Sequence, residues 1–368
     1  MSKKKLKRVT IKVGTRVLTD NSNKLDKKAV KSLADQISVL MDRGVEVVLV
    51  SSGAIGAGLG LLDVEKKGKS LSELQAIASI GQNHLMDVYN EYFNKKGYVT
   101  GQILLTQEDL SDRKRFLNIR YTLNTLFKYK AVPIINENDS VSTEEIKFGD
   151  NDRLSSLVAD LANSDLLIVL TDVDGLYDDK GSVIKEVAAI NSSIRAFCKG
   201  KGCEESTGGM ESKLESVKNA TKSGINCVIA RGSKKNIIID IVDNKGTGTI
   251  FNAQKTSIKA RKRWIAFSLK SKGDIVIDAG AQTALIDKNK SLLPSGVLDA
   301  TGKFAAGDVV NIVNKKNKII ARGLTNYSLD EMQKIKGLRT DKIEASLGYK
   351  DYDEVVHRDN LAVIGEED

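Results

Sequence analysis

The feature that most constrains the fold is the alternation of short, almost wholly apolar runs with longer runs of helical periodicity. Six runs have the length and composition of buried strands: 9–13, 45–50, 99–105, 132–136, 166–170 and 227–230. Between them, apolar residues recur at helical spacing, as in Val30, Leu33, Ile37 and Leu40. Strands that are apolar on both faces and joined by helices predict an α/β fold, with a mainly parallel sheet sandwiched by helices.

The length of the chain and a change of pattern near residue 270 indicate two domains. A chain of 368 residues exceeds the size of one ordinary domain. The later part has short predicted strands at 274–277, 308–314 and 318–322, with a hairpin turn at 314–317. The expected divisions are an α/β domain at 1–255, a basic linker at 256–272, a small β-rich domain at 273–355 and a C-terminal tail at 356–368.

Composition and charge exclude several classes of protein. The net charge is +9, but the lysines are scattered, which favours a lysine-rich surface, and residues 259–263 form the densest basic patch. Three cysteines and two histidines fit no disulfide framework, zinc motif or histidine-rich metal site. The sequence shows no membrane-spanning run and no signal-peptide pattern. We therefore expect a cytoplasmic globular protein.

Two acidic, amide-rich clusters lie near the predicted strand at 132–136. One cluster, at 136–139, ends that strand, and the other, at 148–152, precedes a helix predicted at 153–161. Asn, Asp and Gly are also typical of turns and helix N-caps, which is the alternative for either cluster alone. Because ligands bind beyond the carboxyl ends of parallel strands, the two clusters together indicate a site for an ammonium, a hydroxyl or a cation, or one that orients a lysine.

Two glycine-rich segments predict contacts with phosphate groups. The first, a predicted loop at 51–60, follows a strand, and the second, at 207–213, leads into a helix whose first turn carries Lys213. Glycines let backbone N–H groups approach an anion near a helix N-terminus. Lys12 is a second candidate cation, because a charge inside an apolar strand is costly without a partner. These features fit phosphoryl transfer, although a solvated lysine is the alternative for Lys213.

The order of these motifs resembles that of a known family. The motifs are Ile-Lys-Val-Gly-Thr at 11–15, Val-Ser-Ser-Gly-Ala-Ile at 50–55, Asn-Glu-Asn-Asp at 136–139, Phe-Gly-Asp-Asn-Asp at 148–152, Thr-Asp at 171–172 with Gly-Leu-Tyr at 175–177, and Thr-Gly-Gly-Met at 207–210 with Lys213. Together they resemble the amino acid kinase family, and within it the bacterial glutamate 5-kinases, over nearly the whole chain. The C-terminal part resembles a PUA domain, a module of many RNA-modifying enzymes.

The resemblance implies ATP-dependent phosphorylation of the γ-carboxylate of L-glutamate to L-glutamate 5-phosphate, the first step of proline biosynthesis. The residues that it implies for catalysis are Lys12, Lys213, Asp150 and Asp152, with Asp152 orienting the lysines. Those implied for glutamate binding are Ser52, Gly53, Asn136, Asp139 and Asn151. Those implied for ATP binding are Lys12, Gly14, Thr171, Asp172, Thr207, Gly208, Gly209, Met210 and Lys213.

The resemblance also implies a cofactor and partners. Mg²⁺ is expected on the phosphates of ATP, without dedicated metal ligands from the protein. Proline is the expected feedback inhibitor, a glutamyl phosphate reductase is a candidate partner, and a homo-oligomer is expected. The alternatives are a kinase of the same family that acts on acetylglutamate, aspartate, carbamate or a nucleoside monophosphate and, less favoured, an RNA-binding protein.

Overall fold

The computed structural model describes residues 6–20, 22, 24–65, 68–141, 150–197, 209–254 and 271–364. The chain divides into two compact units, Met1–Thr256 and Ser257–Asp368. Most of the predicted basic linker lies outside the described residues. No helix in the described ranges combines the length and the apolar character needed to cross a membrane.

The first unit alternates strands and helices. Its strands are β1 (Arg8–Val13), β2 (Glu46–Ser51), β3 (Thr100–Leu105), β4 (Val132–Glu137), β5 (Leu166–Thr171), β6 (Glu186–Val187), β7 (Asn226–Arg231) and β8 (Thr249–Phe251). Its helices are α1 (Thr15–Leu18), α2 (Lys27–Asp42), α3 (Ala54–Leu62), α4 (Leu71–Asn94), α5 (Gln107–Ser111), α6 (Arg113–Lys128), α7 (Asp150–Leu161), α8 (Ser192–Ala196), α9 (Met210–Lys222) and α10 (Ile237–Val242).

The eight strands of the first unit form one sheet in the order β3-β4-β2-β1-β5-β7-β8-β6. All neighbouring pairs are parallel except β7 with β8. The central strands β1, β2 and β5 are almost wholly buried, since each has neighbours on both edges and helices on both faces. The predicted, mainly parallel α/β sheet is confirmed.

The sheet is covered by a separate apolar core on each face. On one face, Ile11 and Val13 of β1 pack with residues of α2, α4 and α10. On the other face, Val169 of β5 packs with residues of α7 and α9. Because side chains alternate along a strand, Lys12 points away from the face of Ile11 and Val13, towards α7 and α9. The strand period therefore places this lysine under the helices that carry the acidic cluster and Lys213.

Two predicted boundaries in the first unit are wrong. Most of the glycine-rich segment predicted as a loop at 51–60 is helix α3, which packs closely against α4. A Cβ on Gly81 of α4 would lie 1.8 Å from the carbonyl oxygen of Ala54, so glycine allows the two backbones to meet. Helix α7 begins at Asp150 rather than near Arg153, so Asn151 and Asp152 lie in its first turn.

The second unit is a five-stranded sheet with short helices. Its strands are β9 (Gly273–Ile277), β10 (Val297–Gly302), β11 (Val309–Val313), β12 (Ile319–Leu324) and β13 (Leu361–Val363), in the order β10-β9-β11-β12-β13. Its helices are α11 (Ala279–Ile286), α12 (Leu329–Ile335) and α13 (Ile343–Leu347), with short 3₁₀ turns at Pro294–Gly296, Thr340–Lys342 and Arg358–Asn360. The predicted hairpin turn is confirmed by Asn317, which has a φ of 57° and donates to the carbonyl of Asn314. Ser328 and Glu331 form a capping box at the start of α12.

Candidate active site

The candidate site lies at the carboxyl ends of the central parallel strands. The Gly14 N–H, just after β1, donates to the carbonyl of Leu170 in β5 at 3.1 Å. The Ser52 N–H, just after β2, donates to the carbonyl of Val13 at 3.2 Å. These hydrogen bonds hold three consecutive strand ends together. Residues distant in the sequence are thereby brought to one edge of the sheet, where open α/β sheets bind ligands.

The central group of the site is a carboxylate held between two lysines. The Lys12 ammonium forms an ion pair with Oδ1 of Asp152. The Lys213 ammonium lies 3.6 Å from Oδ2, which also accepts a hydrogen bond of 2.9 Å from the Ser212 hydroxyl. Asp152 is 1% exposed, Lys12 5% and Lys213 7%. Three buried charges converge here from β1, α7 and α9.

The charges of this group are set by burial and by one another. Burial alone would raise the pKa of Asp152, but the attraction of Lys12, and then of Lys213, keeps that pKa below its ordinary value. Burial lowers the pKa of Lys213, and the attraction of Asp152 only partly offsets this effect. The carboxylate is thus firmly ionised, whereas the Lys213 ammonium would gain stability from a further negative charge.

A polar cluster adjoins the ion pairs because Asn151 precedes Asp152 in the first turn of α7. The Asn151 amide nitrogen donates to the Ser52 hydroxyl oxygen at 2.9 Å and to Oδ1 of Asn136 at 3.0 Å. The Asn151 Oδ1 atom is buried and accepts no hydrogen bond from the described residues. A buried amide oxygen in this state calls for a donor, such as an ammonium group.

Gly53 separates this cluster from helix α3. It caps the helix with a φ of 101°, in the left-handed region that favours glycine. The N–H groups at the start of α3 therefore follow Ser52 directly. Asp139 is half-buried and lies just beyond β4.

A second polar group lies beyond β5 and β7. The Thr171 hydroxyl donates to Asp172 at 2.9 Å, and Arg16 donates to the same carboxylate at 2.8 Å. Burial opposes ionisation of Asp172, but hydrogen bonds from Arg16 and then from Thr171 hold its pKa below the usual range. Asp174 accepts from Arg231 at 3.0 Å and pairs with Lys234 at 2.6 Å, which strongly lowers its pKa.

The structure describes most, but not all, of the residues singled out by the sequence. Gly209 caps α9 and Met210 begins it, one turn before Lys213. Asp150 begins α7. Thr207 and Gly208 lie outside the described residues, as do Phe148 and Gly149.

Three polar residues of the site were not singled out by the sequence. Ser212 lies within the glycine-rich motif at 207–213, where its contact with Asp152 could have been suspected from its position beside Lys213. Of two residues in α4, Gln82 hydrogen-bonds to Asn136 and Tyr89 to Ser51 at the end of β2. No sequence signal distinguished them, because both occupy the buried face of a regular amphipathic helix.

The described residues contain no group of three or more His, Cys, Asp or Glu side chains arranged to hold a metal ion. The buried carboxylate of Asp152 already pairs with two ammonium groups.

Comparisons with known proteins agree with this geometry. The family model described as "Amino acid kinase family" matches residues 7–231, more than half of the chain, and that described as "PUA domain" matches residues 273–347. The matched ranges define the class of the protein: an amino acid kinase followed by a PUA domain.

Curated relatives show to which group of amino acid kinases the chain belongs. A "Glutamate 5-kinase" of Thermoanaerobacter sp. (strain X514) is 47% identical over 363 residues, covering 97% of this chain and 98% of the relative. A "Glutamate 5-kinase" of Syntrophus aciditrophicus (strain SB) is 46% identical over 367 residues, covering 98% and 95%. A solved Giardia carbamate kinase covers 67% of this chain and 99% of its own, at 20% identity and a TM-score of 0.49. The chain belongs to the glutamate 5-kinases of the amino acid kinase family.

Proposed function

We propose that the chain transfers the γ-phosphoryl group of ATP to the γ-carboxylate of L-glutamate. A carboxylate oxygen forms the new P–O bond, the bond between the γ-phosphorus and the bridging oxygen breaks, and ADP leaves. The observation that carries the proposal is the buried Lys12–Asp152–Lys213 group directly beside the polar cluster of Asn151. The lysine–aspartate group can neutralise the charge of a transferring phosphoryl group, and the polar cluster can bind an amino acid.

The two lysines supply positive charge where the transition state develops negative charge. The γ-carboxylate is already ionised at neutral pH, so its attack on phosphorus needs no general base. Catalysis then depends on alignment of the reactants and on fixed positive charge around the transferring group. Asp152 keeps both ammonium groups in place before the nucleotide arrives. The phosphates of ATP would bring further negative charge next to the buried Lys213.

Glutamate would bind between the ends of β2 and β4 and the first turn of α7. Ser52 and the N–H groups that follow Gly53 offer donors for carboxylate oxygens. Asn151 Oδ1 and the carboxylate of Asp139 are suited to the substrate ammonium. Asn136 supports Asn151, and Asp150, the first residue of α7, is assigned to catalysis as the resemblance implies.

ATP would lie beyond β5 and α9. Gly14, Thr171 and Asp172 are assigned to the nucleotide together with 207–210 and Lys213. The first turn of α9 would offer backbone N–H groups to phosphate oxygens. Mg²⁺ bound to the ATP phosphates would neutralise part of their charge. Proline inhibition, a reductase partner and a homo-oligomer remain predictions, and RNA binding stays the less favoured alternative.

The activity is tested by trapping the product. The chain should release ADP only when L-glutamate is present, and hydroxylamine should convert the acyl phosphate to a γ-glutamyl hydroxamate. N-acetylglutamate, aspartate, carbamate and UMP serve as competing acceptors. Equal or faster turnover with any of them would overturn the assignment of glutamate.

Removing the charge of Asp139 should weaken glutamate binding selectively. Asp139→Asn keeps the size of the side chain but removes its attraction for the substrate ammonium. We expect the KM for glutamate to rise about tenfold or more, because a charged hydrogen bond is replaced by a neutral one, while the KM for ATP stays nearly constant. Steady-state kinetics with each substrate varied in turn provide the measurement. A similar rise in both constants would place Asp139 outside the glutamate subsite.

A further inference from the structure

The buried face of helix α4 contacts the polar cluster at one point and the end of β2 at another. Gln82 and Tyr89 are about two helical turns apart and therefore lie on the same side of the helix. The Gln82 Oε1 atom accepts a hydrogen bond of 2.7 Å from the amide nitrogen of Asn136. The Tyr89 hydroxyl lies 2.9 Å from the Ser51 hydroxyl. We propose that Gln82 and Tyr89 are positioning residues of the glutamate subsite, an inference that rests on the proposed function.

The Glu137 N–H and the Gln82 oxygen together determine which way the Asn136 amide faces. The Asn136 Oδ1 atom accepts from the Glu137 N–H at 2.9 Å and from the Asn151 amide at 3.0 Å. A reversed Asn136 would direct its NH₂ group at the NH₂ group of Asn151 and its oxygen at the oxygen of Gln82. Both new contacts would be repulsive, as would the one with the Glu137 N–H, so the acceptor on Gln82 reinforces the observed orientation.

The orientation of Asn136 in turn fixes Asn151. The Asn151 amide nitrogen is held by Asn136 and by the Ser52 hydroxyl oxygen, which leaves Asn151 Oδ1 as a buried acceptor. Because Ser52 accepts this hydrogen bond, its own hydroxyl hydrogen remains for a substrate carboxylate. Both groups assigned to glutamate thus have their donor and acceptor directions set through Asn136, which Gln82 helps to hold.

Tyr89 acts on the neighbouring strand end. The Ser51 hydroxyl donates to the carbonyl of Ser52 at 3.0 Å, which uses its single hydrogen. Tyr89 is therefore the donor to Ser51. Tyr89 is fully buried, and burial strongly raises its pKa, so it keeps its proton as this role requires. The hydroxyl pair holds the end of β2, from which Ser52 and Gly53 continue.

Close backbone packing keeps α4 in position for both contacts. Gly81, next to Gln82, meets the first turn of α3 so closely that an added Cβ would overlap the carbonyl of Ala54. Helix α3 begins directly after Gly53, so the same helix that orients the amide cluster also supports the start of α3. The glutamate end of the site is therefore supported from one helix, whereas the buried lysines lie in β1 and α9.

Gln82→Met and Tyr89→Phe test this role, because each removes the polar contact and nearly preserves side-chain volume. Gln36→Met is the matched control. Gln36 is likewise buried, and its Oε1 accepts from the Ile238 N–H at 2.9 Å in the contact between α2 and α10. Thermal unfolding should be recorded for all variants, together with the kinetics of each substrate.

Gln82→Met should raise the KM for glutamate about tenfold, and Tyr89→Phe about threefold, with the KM for ATP changed by less than about twofold. Gln36→Met should lower the melting temperature as Gln82→Met does while leaving both constants unchanged. A normal KM for glutamate in Gln82→Met, or an equal rise in both constants, would overturn the inference. If Gln82→Met does not fold, a normal glutamate KM in Tyr89→Phe would overturn it. Failure of the proposed function is distinguishable, because the unsubstituted chain would then show no glutamate-dependent release of ADP.

Discussion

Lys12→Met and Lys213→Met should each lower kcat about 10²- to 10³-fold, the loss typical of removing one fixed charge donor from a transition state. Both side chains are buried and directed by the same carboxylate, so neither can be replaced by solvent or by a mobile surface lysine. Methionine keeps most of the volume and no charge. The KM for glutamate should change little, since the amide cluster is untouched. Steady-state kinetics and a melting curve for each variant provide the measurement.

Lys218→Met is the matched control for Lys213→Met. Lys218 is also buried, 7% exposed, and lies further along α9. A separation of five residues turns it well away from the direction of Lys213 on the helix. Its loss should alter stability but leave kcat within a few-fold of normal. A near-normal kcat in either test variant, or an equal loss in the control, would remove that lysine from the transition state.

The central sheet could be predicted from the sequence because the strands at its centre are almost wholly apolar. Leu166–Thr171 is apolar at nearly every position, and only a strand covered on both faces buries such a run. Lys12 could be singled out for the same reason, as a charge in a strand of this type. Its partner could not be named from strand periodicity, because Asp152 reaches it only through the packing of α7 across β1.

Helix α3 shows where local propensity fails. Glycine disfavours helix by about 1 kcal/mol per residue relative to alanine, so a glycine-rich segment predicts a loop. In the fold, Gly58 and Gly81 allow α3 and α4 to approach at backbone distance, and this tertiary contact outweighs the propensity. Gln82 was missed for a related reason. Its hydrogen bond to Asn136 depends on that helix contact and leaves no trace in the hydrophobic pattern.

Asp152→Asn should be the most damaging single substitution in the site, because it affects stability as well as rate. It leaves the buried Lys12 and Lys213 without the charge that they share. Removing one partner of a buried ion pair typically destabilises a protein by about 3–5 kcal/mol, far more than the loss of an exposed pair. We expect urea unfolding at neutral pH to show a decrease of this order, and kcat to fall because the lysines are no longer held in place.

The stability difference between the native protein and Asp152→Asn should depend on pH, because its origin is electrostatic. The folded pKa of Asp152 lies below its unfolded value, so its stabilising contribution is complete above about pH 4 and is lost as the pH falls through the folded pKa. The stability gap between the native protein and Asp152→Asn should therefore be largest near neutrality and should narrow in acid. The double variant Lys12→Met, Asp152→Asn should regain part of the stability, since one uncompensated charge is gone, but no activity. A gap that stays constant from neutral to acid pH would mean that Asp152 stabilises the protein by packing rather than by charge.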